Sequence, residues 1–162
     1  MKKLFFALLL ISLLAGSSSA YAKRLYADAS KPKDPVSGFW YTQDHDGVIQ
    51  LYRCDGKICG RFYWLKSSSH ENVSLDINNP DPDKKSRGLC KLQFMGDFEA
   101  DGLGHYSDGW IYSPRHGQTF SAEMTLLDKN TLSLRGYVLT PLLGEEQIWK
   151  RTTKTPSCKE NS

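Results

Sequence analysis

The chain has 162 residues, 40% of them hydrophobic, and carries 21 Lys and Arg against 18 Asp and Glu, a formal charge of +3. Lys2 and Lys3 sit in an N-terminal segment expected to be removed, which leaves 19 basic against 18 acidic residues and a mature chain near neutrality. That balance, with no Lys/Arg cluster of the kind that tracks phosphates, excludes nucleic acid as an expected partner, and the length suits one domain burying roughly two-thirds of its unfolded surface.

Residues 1–22, MKKLFFALLLISLLAGSSSAYA, combine a lysine pair, an apolar run and an Ala20-Tyr21-Ala22 site. This pattern predicts a secretory signal peptide cleaved near Ala22. Its character is bacterial, and it predicts a periplasmic or secreted protein. No later apolar run reaches the roughly twenty residues of a membrane span, so the mature chain is expected to be soluble, with no integral membrane segment. Residues 23–35 read as an N-terminal leader, 36–152 as the folded domain and 153–162 as a C-terminal tail.

Within the domain, apolar residues recur at every second position. Phe120, Ala122, Met124 and Leu126 alternate with Ser121, Glu123 and Thr125, and Leu132, Leu134, Gly136 and Val138 alternate with Ser133, Arg135 and Tyr137. Turn signals such as DHDG, CDGK, PRHG and DKN separate such runs. The pattern predicts eight half-buried strands, over 36–43, 48–54, 58–65, 90–95, 105–112, 118–127, 131–139 and 145–152. Short strands joined by hairpins specify an all-β up-and-down antiparallel barrel or a sandwich, and an eight-stranded barrel holds side chains or one small ligand.

One connection breaks the rhythm. Residues 66–89, ending in DINNPDPDKKSRGL just before Cys90, far exceed the two to six residues of an ordinary strand connection. In an up-and-down barrel the loops at 44–47, 66–89, 114–117 and 140–144 share one end, and the turns at 55–57, 96–104 and 128–130 share the other. The long loop therefore lies on a rim with three others, either lining a cavity or simply connecting strands. DINNPDPD lacks the ligand spacing of a calcium loop, with Pro80 at the fifth position. His45, His70 and His116 fall in rim loops near Asp44, Asp46 and Asp76, a set able to hold a divalent metal or to remain solvated. No hydrolase, zinc-protease, phosphate-loop or dinucleotide motif is present, so no catalytic residue and no cofactor is assigned.

Four cysteines in an exported chain suggest two disulfides. Cys54 and Cys59 flank a tight hairpin and are expected to pair, which leaves Cys90 with Cys158.

Gly38-Phe39-Trp40 near the start and Gln147-Ile148-Trp149-Lys150-Arg151 near the end resemble the calycin signature of lipocalins and fatty-acid-binding proteins. In that signature a Trp on the first strand is covered by a basic residue from the last. The resemblance implies a calycin-like (lipocalin-like) barrel closed by Gly38, Trp40 and Arg151, and it likens the Cys90–Cys158 bridge to the common lipocalin disulfide. From Asp34 to Arg151 the chain is also similar to a bacterial family of secreted domains of unknown function, number 2147. The matching stretches are DPVSGFW, LYRCDGKICGRFYWL, DINNPDPDKKSRGLC, GWIYSPRHGQTFSAEMTL and LSLRGYVLTPLLGEEQIWKR. That family implies the fold and no activity.

The aromatic residues Trp40, Phe62, Trp64, Trp110, Phe120 and Trp149 fill a narrow barrel or line an apolar pocket. Polar candidates for such a pocket are Arg61, Trp110, Tyr112, Arg135 and Gln147 on strands, with Asn79 and Arg87 from the loop. Strand parity leaves Arg61 and Arg135 open between interior and solvent. The expected function is non-catalytic binding of a small apolar or amphipathic molecule. Contact with an exported protein through 66–89 is the alternative, and divalent-metal binding or enzymatic activity comes third.

Overall fold

The computed structural model describes residues 34–66, 75–153 and 157–158. The chain divides into two units, Met1–Lys33 and Asp34–Ser162, and every described residue belongs to the second. The expected signal peptide and most of the leader lie outside the described residues, as does His70.

Eight antiparallel strands pair in chain order and close on themselves: β1 (Gly38–Tyr41), β2 (Gly47–Cys54), β3 (Lys57–Leu65), β4 (Gln93–Gly102), β5 (His105–Ser113), β6 (Gln118–Asp128), β7 (Thr131–Tyr137) and β8 (Glu145–Thr152). The expected all-β barrel is the observed fold. The described helical segments are two single 3-10 turns, Pro82–Lys84 and Pro141–Leu143, and no described helix is long and apolar enough to cross a membrane.

The period-two pattern explains the two faces. Met124 pairs with Leu134 and Leu126 with Leu132 on the inner face, whereas Glu123 pairs with Arg135 on the outer one. Trp40, Ile49, Leu51, Ile58, Met95, Phe98, Met124, Leu132 and Trp149 are fully or almost fully buried inside. Each such side chain contributes about 1.5–3 kcal/mol of burial before the entropy cost of ordering it.

β4 departs from expectation. It was expected over 90–95 with a turn at 96–104, but it runs to Gly102 and turns only at Leu103-Gly104. Asp97 adopts a φ of 63°, and between Ile58↔Phe98 and Gly60↔Met95 the register with β3 shifts. This bulge breaks the alternation after Met95 and returns Phe98 to the core, so a strand reads in sequence as a turn. β7 stops earlier than expected because Val138 and Leu139 leave the ladder, Leu139 with a φ of 71°.

The barrel closes where β1 meets β8, with Trp40 opposite Arg151. The Arg151 guanidinium lies 4.1 Å from the centre of the Trp40 ring. It also donates to three backbone carbonyls, Ser37 at 2.9 Å, Pro35 at 2.6 Å and Lys129 at 2.6 Å. Trp40 Nε1 donates to the Val36 carbonyl at 2.9 Å. Gly38 has a φ of 140°, and a Cβ there would stand 2.8 Å from Arg151 Nη1. The Gly, the Trp and the Arg of the two motifs therefore form one unit, in which an aromatic face and three carbonyls satisfy one cation.

The same hairpin end is sealed by the start of the domain. Asp34 accepts hydrogen bonds from Tyr106 Oη at 2.5 Å and Arg53 Nη2 at 3.2 Å. Burial, followed by the hydrogen bond to Asp34, raises the Tyr106 pKa and keeps the phenol protonated. Asp34 and Pro35, which the sequence assigns to the leader, thus take part in the barrel. Cys54 and Cys59 are bridged, with Cα atoms 5.9 Å apart, across the β2–β3 hairpin. The second expected bridge is not formed. Cys90 and Cys158 are separate thiols, hydrogen-bonded to each other, and burial followed by that hydrogen bond pushes the Cys158 thiol up to about 12.

Candidate functional site

At the rim end the long loop is built around one carboxylate. Asp76 is completely buried. Its oxygens accept from Tyr112 Oη at 2.6 Å, Asn79 Nδ2 at 2.7 Å and Arg87 Nε at 2.9 Å, with Arg87 Nη2 a further 2.8 Å away. Asn79 Nδ2 also reaches Tyr112 Oη at 3.0 Å, and the Arg87 guanidinium lies over the Tyr112 ring. Burial pushes the Asp76 pKa up, but the hydrogen bonds from Tyr112, Asn79 and Arg87, with the Arg87 charge, outweigh it and hold the carboxyl below its ordinary value. Burial and the bond to Asp76 raise the Tyr112 pKa.

Neighbouring backbone completes the anchor. Asp76 N donates to the Arg87 carbonyl, and Asn78 Nδ2 donates to the Arg115 carbonyl at 3.0 Å. A Cβ on Gly117 would stand 1.9 Å from the Asn78 carbonyl oxygen, so the β5–β6 turn accepts the loop only with glycine there. The loop then turns inward at Leu89, which is buried in the core beside Phe62 and Phe94. The crossing is a pinned strap, anchored on Tyr112 of β5 and on the β5–β6 turn.

The β5–β8 side is different. On each strand the inner-face position next beyond the buried core toward the rim is at least partly exposed. Phe120 lies two residues from buried Ala122, Gly136 two from buried Leu134, and Gln147 two from buried Trp149. Ile111 pairs with Phe120, Ala122 with Gly136 and Leu134 with Gln147, so the four positions are inner-face neighbours. Phe120, Ile111 and Gly136 are half-buried and Gln147 is exposed. A Cβ built on Gly136 would meet only Ile111 Cγ2, at an ordinary 3.7 Å. The closed core therefore gives way near the rim to a half-buried apolar recess, with Gln147 at its edge and the polar residues Ser113, Gln118 and Glu145 further along the same inner-face rows. Gln147 Oε1 accepts from Trp149 Nε1 at 3.0 Å, which orients that carboxamide.

The expected ligand-binding set separates into three places. Gln147 lies in the recess. Asn79, Arg87 and Tyr112 serve the Asp76 clamp, so the Arg87 guanidinium is spent on Asp76. Trp110 and Arg135 face outward. Trp110 Nε1 donates to Asp97 at 2.8 Å, and Arg135 lies between Glu123 and Glu146 in register and donates to the Pro141 carbonyl. Arg61 is also outside, donating to Gln50 and lying over Tyr52. Trp110, expected inside, is turned outward because a second bulge at Asp108, φ 57°, resets the alternation of β5. His45 stacks on Tyr41, His116 contacts Ser113 and Phe120, and Asp76 is fully committed. No group of three or more His, Cys, Asp or Glu side chains suited to a metal occurs among the described residues. Ile111 and Gly136 are absent from the expected site. Their alternation was visible, but only the point where burial ends marks them.

A second depression, of about 390 Å³, lies at the hairpin end and includes Asp34, Arg53, Lys57, Ile58, Phe98 and Tyr106 in its lining. Its cations are already paired, Arg53 with Asp34 at 3.2 Å and Lys57 with Glu99 at 2.7 Å.

Comparison with known proteins bears on this geometry. Among curated proteins no match is found. Among solved structures, protein HP1028 of Helicobacter pylori, described as belonging to the lipocalin family, is similar with a TM-score of 0.66 and 20% identity, over 73% of this chain and 83% of that one. At that identity the likeness concerns the fold. The model of the family DUF2147, an uncharacterized protein conserved in bacteria, matches residues 38–151, which include both closure motifs, the long strap and the whole recess; the chain belongs to that family.

Proposed function

We propose that this barrel is an exported, non-catalytic carrier that takes the apolar part of a small apolar or amphipathic molecule into the rim-end recess. The observation that carries the reading is the half-exposed inner wall of Ile111, Phe120 and Gly136, with Gln147 at its edge. Such a wall provides apolar contact with one orienting polar group, the usual composition of a small-molecule site. The strap supports it by fixing one side of the rim in advance, so less ordering entropy opposes binding. The N-terminal sequence supports export to the periplasm or beyond.

Titration with a fluorescent fatty acid tests the proposal. The mature protein binds it, and Gly136→Phe, which fills the recess while its Cβ meets only Ile111 Cγ2 at an ordinary distance, weakens binding at least tenfold, about 1.4 kcal/mol. Absence of binding by the unaltered protein contradicts the reading. In that event contact with an exported protein through 66–89 gains weight, because Leu75 and Ile77 stand exposed on a strap already rigid enough to present them.

A further inference from the structure

The β7–β8 loop runs Val138-Leu139-Thr140-Pro141-Leu142-Leu143-Gly144, seven residues without a charge, after Tyr137 at the end of β7. Its apolar side chains point to solvent: Val138 is 59% exposed, Leu139 87%, Leu142 89% and Leu143 76%. Four large apolar residues on one loop tip make a contiguous patch that a freely dissolved domain ordinarily avoids. The loop is not loosely strung. Thr140 N donates to the Val138 carbonyl at 2.9 Å, Leu143 N to Thr140 at 3.1 Å and Gly144 N to Pro141 at 3.1 Å. Arg135 Nε also donates to the Pro141 carbonyl, and Leu139 is held at a positive φ that places its side chain outward at a conformational cost.

We propose that this tip inserts into the surface of a lipid bilayer, docking the barrel rim-first. Hydrocarbon demands two properties together, absence of charge and backbone groups satisfied from within. The tip has the first throughout, with no Asp, Glu, Lys, Arg or His over 138–144, and the second at three of its carbonyls, those of Val138, Thr140 and Pro141, which each accept a hydrogen bond from the protein. A protein partner would require the first property but not the second. Tyr137, half-buried at the base, has the amphipathic ring that favours the level of lipid head groups. The loop joins Gly136 of β7 to Gln147 of β8, so insertion brings the recess against the membrane. There a poorly soluble ligand enters or leaves without crossing water. Insertion itself does not depend on the carrier reading.

Sedimentation of the mature protein with phosphatidylcholine vesicles, in low and high salt, tests the inference. The protein co-sediments, and high salt does not release it because the contact is apolar. Leu142→Ser with Leu143→Ser, on exposed positions that leave folding intact, lowers partitioning by roughly tenfold or more. Leu103→Ser, fully exposed at the opposite end, leaves it unchanged. An unaltered protein that stays in solution overturns the proposal. So does binding confined to phosphatidylglycerol vesicles and lost in salt, or a dimer in lipid-free solution that the double serine variant dissociates. Gly136→Phe retains vesicle binding while losing the fatty acid, so failure of one reading is distinguishable from failure of the other.

Discussion

The two ends of the barrel solve the same problem in opposite ways. At the hairpin end, the chain start and the last strand are drawn together by Arg151 on Trp40, and the polar groups of Asp34, Arg53 and Tyr106 are spent on one another. At the rim, a buried carboxylate pins a strap over one side and leaves the other side apolar and unfinished. A buried ion held by several donors costs little when complete and much when broken. Apolar surface left open has no structural purpose. The contrast sets an end whose polar groups are paired with one another against an end that keeps open apolar surface.

The strap is where the comparison breaks most easily. Asp76→Ala strands Arg87, Asn79 and the Tyr112 hydroxyl together and lowers stability by about 3 kcal/mol, read as a shift in the urea midpoint. An unchanged midpoint would mean that the strap is only draped over the rim. At the closed end, Arg151→Ala removes the cation from the Trp40 face and three carbonyl partners, and costs about 2 kcal/mol. Arg151→Lys recovers little of this, because an ammonium cannot reproduce the planar fork. Equal stability of the Lys and Arg proteins would show that charge alone closes the barrel.

These two units differ in how legible they are in sequence. The closure was readable because Gly38, Trp40 and Arg151 stand in two short motifs whose strands must meet if eight strands close. Asp76 was read as a turn former or a metal ligand, since nothing local reveals that Tyr112, on a distant strand, will reach it. Strand alternation gave the inner face of β6 and β7 correctly. It failed at Asp97 and Asp108, where bulges add residues that reverse parity, and so Phe98 was missed and Trp110 placed inside. Exposure at Phe120 and Gly136 is a property of the rim as a whole, not of any strand.

A pH series sharpens the contrast further. The folded-state pKa of Asp76 is depressed, so its stabilisation is fully present above the ordinary carboxylate value of 3.8 and is lost as pH falls through the lowered folded value. In Asp76→Asn this part of the acid destabilisation disappears, while Arg151→Ala keeps it. Identical acid dependence in the two variants would remove the rim from the account of acid stability. The smallest expected effect concerns Cys90 and Cys158. Under the proposed export their contact favours oxidation, and peptide mapping without reduction is expected to recover them linked with no change in the barrel. Free thiols in protein freshly isolated from its own cells without reductant would contradict that.

The division between a sealed end and a receptive one is tested most directly by side-chain NMR during titration with a medium-chain fatty acid. The account predicts that the Ile111 methyl groups and the Gln147 carboxamide shift and saturate together, while the Ile58 methyl groups at the hairpin end stay in place. Shifts centred on Ile58, or no saturable shift at Ile111 and Gln147, would contradict it.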